Sequence, residues 1–400
     1  MSSWQQFPRG PAAAPAAAAA AFHGSVPDQR PFVEYFARQG ARDRTWPRPE
    51  AFEASQKPPV PPKPPPPPAV MLFVGCACVD VVMAVDAYPA EDACCRAASL
   101  RRCRGGNAAN SSVIASQCGV QTTWLGTLPD KGAPDSQFIV EDLEACGVIV
   151  APVYGGVTHA PTSHIVASKT SRTIVHCRGS LPELGAGDFP PCDGSDGTDD
   201  ADDFTWAHFE GRANTDALRK TMRRYRAEGL SVSVELEKVD EALDALEDEA
   251  DVVLYSKERA ERDGYRDPVK YLARKASDFC ARGQTHKTLT CAWGAHGAAA
   301  CSIRGRPGGT FAITVLRAGV LEAEVVDTVG CGDTFNGAFL SCLAMGDDAG
   351  GHGLLGRALR VASHVAGRKV GRVGFAGLEY PSVEDCSKIW LEVAVQCGSK

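Results

Sequence analysis

Segments rich in β-branched and aliphatic residues alternate with stretches of helical periodicity along most of this 400-residue chain. The predicted strands span residues 123–128, 204–209, 232–237, 251–256 and 288–293. The predicted helices follow Asn107, Asn214, Val239 and Asp267. Strands separated by helices pair in parallel, because the chain crosses back over the sheet between one strand and the next. The sequence therefore predicts the α/β class, with a doubly wound, mostly parallel sheet flanked by helices.

An uncharged run from Met71 to Val79 predicts one further strand, buried on both faces and followed directly by Asp80. The run is too short to span a membrane. A carboxylate at the carboxyl end of a buried strand lies where open α/β sheets bind their ligands. Asp80 is therefore a candidate ligand residue, and a surface charge is the alternative interpretation.

Residues 1–70 have the composition of a tail. Alanine dominates 12–21, and proline dominates 58–68. Such a segment buries too little apolar surface to offset the entropy lost on ordering, which predicts disorder. The remaining residues, 71–400, are predicted to form one domain. The proline run predicts polyproline II, which is either a stiff spacer or a ligand for a partner with an SH3-type groove.

Charge and cysteine content narrow the classes of partner and compartment. The 42 basic and 49 acidic residues give a net charge of −7, which argues against a nucleic-acid partner or an anionic membrane surface. None of the 16 cysteines forms a C-x-x-C pair. They predict reduced core cysteines in a cytoplasmic protein rather than disulfides or zinc ligands. Six aspartates within 193–203 predict a solvated acidic loop.

A glycine-rich turn at 327–333 reads Asp-Thr-Val-Gly-Cys-Gly-Asp. Val325 and Val326 before it predict the end of a strand, and apolar residues recur at helical spacing from 335 to 343. A chain that passes from strand to helix through such a turn points unpaired backbone N–H groups at one spot, beside the positive end of the helix dipole. Gly330, Cys331 and Gly332 therefore predict an anion hole.

Asp333 closes this turn, where its negative charge would repel a bound anion. Such a residue is better explained as a base. The alternative is that Asp333 is a plain N-cap, because aspartate is among the residues preferred at that position.

A second polar cluster begins with two glycines and two asparagines. Asn107 and Asn110 share a helix face because they are three residues apart. Glycines let a ligand approach the backbone, and amides both donate and accept hydrogen bonds, as sugar hydroxyls require. An ordinary glycine turn with an asparagine N-cap is the alternative. The candidate ligands for a polar molecule are Asp80, Asp92, Gly106, Asn107 and Asn110.

Together, the two clusters resemble the signatures of the ribokinase-like (PfkB) sugar kinases. The turn at 327–333 is similar to their Asp-Thr-x-Gly-Ala-Gly-Asp signature, with Cys331 in place of alanine. The string Gly-Gly-Asn-Ala-Ala-Asn at 105–110 matches their amino-terminal sugar-binding signature. Further strings at 86–92, 172–175, 208–214 and 291–293 resemble, in the same order, members that phosphorylate D-fructose. The likeness runs from about 71 to 377.

This resemblance implies a ribokinase-like fold and ATP-dependent phosphorylation of the C1 hydroxyl of D-fructose. Asp333 would take the proton of the attacking hydroxyl, the N–H groups of the turn would stabilise the transferring oxygens, and Mg²⁺ would arrive with ATP. The residues implied near the nucleotide are Arg172, Lys257, Gly294 and Gly297. For Lys257 a surface lysine at a helix start is the alternative.

The resemblance also implies a small β-sheet lid. Its strands are expected near 83–103, with predicted segments at 83–87 and 96–100, and in a hairpin at 162–177. A lid of this kind implies a homodimer formed through its strands.

Two other functions remain compatible with the sequence. One is a different ribokinase-like kinase, acting on ribose, a nucleoside or a sugar acid. The other is a non-catalytic scaffold whose proline-rich tail recruits partners. The presence of Asp333 together with Asn107 and Asn110 argues against a scaffold, which would need none of them.

Overall fold

The computed structural model describes residues 69–168, 172–191, 204–306, 309–347, 349 and 353–398. The first 68 residues of the predicted tail, the hairpin turn at 169–171 and the predicted acidic loop at 193–203 lie outside this range. The strands are β1 (Val70–Val74), β2 (Cys78–Ala84), β3 (Ser99–Gly105), β4 (Gln121–Leu128), β5 (Ile149–Tyr154), β6 (Thr162–Ala167), β7 (Arg172–Cys177), β8 (Trp206–Glu210), β9 (Ser231–Leu236), β10 (Val252–Tyr255), β11 (His286–Ala292), β12 (Ala298–Gly305), β13 (Phe311–Ala318) and β14 (Leu391–Gly398). The α-helices are α1 (Asn107–Gln117), α2 (Pro134–Ala145), α3 (Thr215–Ala227), α4 (Lys257–Arg262), α5 (Pro268–Ala281), α6 (Cys331–Met345), α7 (Gly353–Val370) and α8 (Val383–Ser387).

The larger of the two sheets has the strand order β14-β13-β12-β11-β10-β9-β8-β1-β4-β5. In this order, each strand from β11 across to β5 is parallel to the next. Strands β12, β13 and β14 extend the sheet in antiparallel pairs. The predicted α/β fold with a mostly parallel sheet is therefore confirmed.

Helices cover both faces of this sheet. Met71 and Phe73 of β1 are buried in a core with α1, α6 and α7. Leu72 and Val74 are buried in a second core with α3 and α5. Successive side chains of a strand point to opposite faces, so a strand between two helical layers must be apolar throughout. This explains why β1 lacks the polar alternation of a half-exposed strand.

The smaller sheet has the order β3-β2-β6-β7 and corresponds to the predicted lid. β2 pairs antiparallel with β3 and parallel with β6, while β6 and β7 form the predicted hairpin. The strands predicted at 83–87 and 96–100 were wrongly bounded. Pairing runs from Cys78 opposite Gly105 to Ala84 opposite Ser99, so β2 lies earlier and β3 later than the apolar alternation indicated.

The run at 71–79 forms two strands, not one. The chain leaves the larger sheet after Val74, and β2 begins in the smaller sheet at Cys78. Gly75 permits this crossing, because a Cβ there would lie 2.6 Å from the Cβ of Glu210 and 2.7 Å from that of Ala108. Asp80 consequently lies within β2 of the smaller sheet, rather than at the end of the first strand.

The predicted strand end before the glycine-rich turn was also wrong. β13 ends at Ala318, and residues 319–330 contain no strand. Val325 and Val326 are 57% and 54% exposed, and the N–H of Val326 donates to the carbonyl oxygen of Val370 at 2.9 Å. Two β-branched residues without a neighbouring strand do not extend a sheet. The helix predicted after Val239 is a 3₁₀ helix, Glu241–Glu249.

Candidate active site

Helices α1 and α6 pack closely and bring the two sequence clusters together. A Cβ on Gly337 of α6 would lie 2.6 Å from the carbonyl oxygen of Ser111 on α1, so this approach requires glycine. Asn110 Nδ2 donates to Asp333 Oδ2 at 2.6 Å, although the residues are 223 positions apart. Ser111 Oγ donates to the carbonyl oxygen of Asp333 at 3.2 Å. The candidate base is therefore held by the helix that carries two candidate sugar ligands.

The carboxyl group of Asp333 is buried. Burial is the main reason why the pKa of Asp333 rises from 3.8 to about 7. The hydrogen bond from Asn110 lowers this pKa, whereas the negative charges of Glu237, Glu210 and Asp80 raise it. A general base works best when its pKa lies near the operating pH, so Asp333 is suited to accept a proton near neutral pH.

Two carboxyl groups that the sequence analysis did not single out lie beside Asp333. Burial raises the pKa of both Glu235 and Glu237. Asn336 Nδ2 donates to Glu235 Oε1 at 2.8 Å, and Asn107 Nδ2 donates to Glu237 Oε2 at 3.0 Å. The signal that could have found them is the one used for Asp80, a carboxylate at the carboxyl end of a buried strand, here β9.

The turn at 330–332 presents open backbone N–H groups, as the predicted anion hole requires. Gly330 is the N-cap residue of α6, with a φ of 76°, and no side chain, that of Asp333 included, caps this helix. Among the described residues, the N–H groups of Gly330 and Gly332 have no hydrogen-bond acceptor, and that of Cys331 donates only a long bond of 3.4 Å to the Thr328 carbonyl oxygen. A Cβ on Gly332 would meet no atom within 4 Å. Open N–H groups at the positive end of a helix dipole bind anions.

Basic side chains lie against the same turn. Arg172, the first residue of β7, donates from Nη1 to Thr328 Oγ1 at 2.7 Å. Arg101 of β3 and the buried Lys369 of α7 each pair with Asp327 Oδ2 at 3.3 Å. The structure therefore brings Arg172 to the candidate anion hole, and it adds two basic residues that the sequence analysis missed.

The two glycines before α1, Gly105 and Gly106, allow the backbone to pass close to the Asp80 side chain and the Cys76 backbone. Asp80 is buried, and burial raises its pKa. A Cβ on Gly105 would lie 2.3 Å from the Asp80 carboxylate. Gly106 has a φ of 100°, and a Cβ there would lie 2.2 Å from the carbonyl oxygen of Cys76. Both glycines are thus required by close approach, and Gly106 also by its backbone conformation.

Asp92 stands apart from the other candidate sugar ligands. It lies in an exposed turn between β2 and β3, with a φ of 63°. In the part of the chain that the structure describes, no hydrogen bond or ion pair joins its side chain to Asp80, Asn107 or Asn110. The structure therefore brings together four of the five predicted sugar ligands.

Three of the four residues predicted near a nucleotide, Lys257, Gly294 and Gly297, form a separate group at the carboxyl ends of β10 and β11. Lys257 begins α4, and its Nζ lies 5.8 Å from the centre of the Trp293 ring and 3.8 Å from a carboxylate oxygen of Glu261. Gly294 and Gly297 have φ values of 58° and 86°, and a Cβ on Gly297 would lie 2.1 Å from a carbonyl oxygen of β13. No hydrogen bond among the described residues joins this group to the turn at 330–332.

The comparisons with known proteins agree with one another. The model of a family described as pfkB family carbohydrate kinase matches residues 71–379. Ketohexokinase of the mouse, Mus musculus, is 33% identical over 318 residues, which cover 77% of this chain and 98% of that protein. Among the described residues, no helix has the length and apolar character needed to cross a membrane.

Solved structures share the fold at lower sequence identity. A putative ribokinase from Agrobacterium tumefaciens superposes with a TM-score of 0.63 at 20% identity, covering 80% of this chain and 97% of that chain. Ribokinase from Arabidopsis thaliana, solved with ribose and ATP, superposes with a TM-score of 0.58 at 18% identity, covering 80% and 98%. Both are ribokinases by description, so the fold resembles a ribokinase.

Proposed function

This chain belongs to the pfkB family of carbohydrate kinases, and we propose that it transfers the γ-phosphoryl group of ATP to the C1 hydroxyl of D-fructose. Family membership makes it an ATP-dependent sugar kinase. The choice of fructose is supported by the 33% identity to mouse ketohexokinase, which extends over nearly all of that protein.

The observation that carries the proposal is the arrangement of Asp333 beside the open N–H groups of its own helix. The pKa of Asp333 is raised to about 7, and Asn110 holds its carboxyl group at 2.6 Å. Phosphoryl transfer depends on positioning and on neutralising charge that spreads over the transferred oxygens. Asp333 would accept the hydroxyl proton, while Gly330, Cys331 and Gly332 would donate hydrogen bonds to those oxygens.

An uncharged sugar suits the binding side of this site. Asp80 and Glu237 can accept hydrogen bonds from hydroxyl groups, and Asn107 can both donate and accept. A sugar acid would bring a further negative charge next to these carboxylates, which disfavours it. Gly106 would contact the sugar through its backbone atoms alone, since a Cβ there has no room beside the Cys76 carbonyl oxygen.

The carboxylates also fit a hard cation that arrives with the nucleotide. Glu235 Oε2 is buried and has no hydrogen-bond partner among the described residues. Mg²⁺ in kinases takes one or two protein carboxylates together with phosphate oxygens and water, and when bound it neutralises charge on the phosphates. Glu235 and Glu237 would hold it, and Arg172 would reach the phosphates from the smaller sheet. Lys257, Gly294 and Gly297 would lie near the remainder of the nucleotide.

A homodimer through the smaller sheet is part of the proposal. Leu100 of β3 is 69% exposed, and Ile174 and Val175 of β7 are 49% and 65% exposed. Apolar side chains on a thin sheet favour burial against a second copy. Sedimentation of the full chain tests this, because a monomer at micromolar concentration contradicts it. The cysteines in the described part of the chain form no disulfide, and reduced cysteines are typical of the proposed cytoplasmic location.

The experiment that tests the function is a sugar panel with the purified full chain. The protein is incubated with ATP and Mg²⁺ and with fructose, ribose, a nucleoside or a sugar acid, and ADP release is measured. We expect the highest kcat/KM for fructose, with the product phosphorylated at C1 by NMR. A higher kcat/KM for ribose or a nucleoside would contradict the choice of fructose as the substrate. If no acceptor were phosphorylated, even in the presence of K⁺, the scaffold hypothesis would be favoured.

A further inference from the structure

Arg104 of β3 is a buried cation close to the candidate base. Its side chain is only 3% exposed. Nη1 donates to Asn110 Oδ1 at 2.6 Å, and Nε donates to Asp142 Oδ2 at 2.6 Å. Asp142 lies on α2 with its carboxylate 38% exposed. Arg104 therefore joins a partly solvated carboxylate to the amide that holds Asp333.

The chemistry of these groups fixes which way the Asn110 amide points. A guanidinium group has donors only, so it must face the oxygen of the amide. The amide NH₂ group then faces Asp333, at 2.6 Å from Oδ2. An NH₂ group stabilises an ionised carboxylate, which only accepts hydrogen bonds. If the amide turned round, its oxygen would instead favour a protonated Asp333, which can donate one.

We propose that Arg104 is a positioning residue that fixes the orientation of the Asn110 amide and thereby holds Asp333 in its ionised, proton-accepting form. This inference rests on the proposed function, in which Asp333 is the base. Arg104 itself would touch neither sugar nor nucleotide.

The other ionisable groups near Asp333 do not supply the same effect. The basic groups at the turn are directed to other partners: Arg172 contacts Thr328, while Arg101 and Lys369 pair with Asp327. The acidic and thiol groups are Asp80, Glu210, Glu235, Glu237 and Cys331, each neutral or negative, so each leaves the proton on Asp333 or favours its retention. The hydrogen bond from Asn110 acts in the opposite direction, and Arg104 is the residue that orients its donor.

The test replaces the guanidinium group and follows the pH dependence of turnover. Arg104→Met keeps an unbranched apolar stem over Phe375, whose ring centre lies 5.7 Å from the guanidinium carbon. We expect the acid limb of the kcat profile to move upward by about one pH unit, so that kcat falls about tenfold near pH 6 and approaches the parent value near pH 9. Loss of ionised base, unlike loss of folding, is reversed by raising the pH.

The matched control is Arg102→Met on the same strand. Arg102 pairs with Asp135 at 2.6 Å, its side chain is 42% exposed, and it packs over the ring of Phe138. We expect this variant to keep the parent pH profile. An equal fall in kcat for Arg104→Met at every pH, or an unchanged profile, would overturn the inference.

A second measurement does not depend on turnover and separates this inference from the proposed function. Asp333→Asn removes the charge, and the resulting shift in the urea midpoint is compared in the parent and in Arg104→Met. We expect a larger upward shift in the Arg104→Met background near pH 8, because the ionised carboxyl group is less well supported there. Equal shifts overturn the inference even if the sugar panel gives no activity. If Arg104→Met does not fold, Asp142→Asn replaces it, and a smaller change in the same direction is expected.

Discussion

Replacing the candidate base should make the protein more stable while abolishing turnover. Asp333→Asn keeps the side-chain shape and keeps an oxygen that can accept the hydrogen bond from Asn110 Nδ2. What it removes is a buried negative charge beside other carboxylates. Active-site groups are often retained at a cost in stability, because function requires them.

The magnitude follows from the pKa of Asp333, which is raised from 3.8 to about 7. Below the unfolded pKa the carboxyl group is neutral in both states, so it costs nothing. As the pH rises, the unfolded chain ionises first, and the folded state loses about 1.4 kcal/mol per pH unit until the folded pKa is passed. The full cost is about 4 kcal/mol near pH 8 and about 2 kcal/mol near pH 5.5.

The assay is urea unfolding of parent and variant in reducing buffer at several pH values. We expect Asp333→Asn to gain at most about 4 kcal/mol of stability near pH 8, and this gain to shrink as the pH falls. The value is an upper limit because the ionisation of Glu237 and Glu210 readjusts when the charge of Asp333 is removed. In the same samples kcat should fall by at least about 100-fold. Folding and ligand binding should persist.

A matched control is Asp135→Asn in the first turn of α2. Asp135 accepts from Arg102 at 2.6 Å and from the N–H of Ala160 at 3.0 Å, so its carboxylate is supported in the folded state. This substitution should give no gain in stability at any pH. If Asp333→Asn gave no gain near pH 8, the carboxyl group would not be a buried, destabilised charge. If it turned over fructose near the parent rate, Asp333 would not be the base.

Three further outcomes are expected. Asn107→Ala should raise the KM for fructose at least about tenfold while the KM for ATP stays within about twofold, because it removes an amide that is proposed to bind sugar hydroxyls; in initial-rate kinetics, equal changes for both ligands would contradict this. Gly106→Ala should lower the urea midpoint and turnover together, because a Cβ would lie 2.2 Å from the Cys76 carbonyl oxygen at a positive φ; a parent-like midpoint would refute it. Deleting residues 1–68 should leave the melting temperature and kcat unchanged if that segment forms no core, and a clear loss of either in calorimetry or assay would show that it does.

The fold was predictable because its signals are local. Apolar β-branched segments between helices specify parallel strands wherever a neighbouring strand exists, as in β9 and β10. The same signal misled where no neighbour exists, at Val325 and Val326. It also merged β1 with β2, because hydrophobicity does not record the change of sheet that Gly75 allows.

Sequence alone predicted the site residues that lie within a family signature. Asn110 and Asp333 each lie in such a string, and the structure joins them through a hydrogen bond. Arg104 precedes the first signature directly, yet nothing in its local sequence indicates that its guanidinium group turns inward to Asn110. Its role depends on a contact with Asp142, which is 38 positions away.

The property that suits Asp333 to its proposed role comes largely from residues outside its own signature. Burial raises the pKa of its carboxyl group, and Glu237 and Glu210 raise it further, while Asn110 opposes them. An isolated aspartate at the end of a glycine-rich turn would be fully ionised at neutral pH and a weak base. A pKa near 7 makes the same carboxylate basic enough to take a proton while leaving much of it ionised. The strength of the candidate base is therefore set mainly by its burial and then by carboxylates at the ends of β8 and β9, and a signature search confined to α6 identifies the residue without explaining its chemistry.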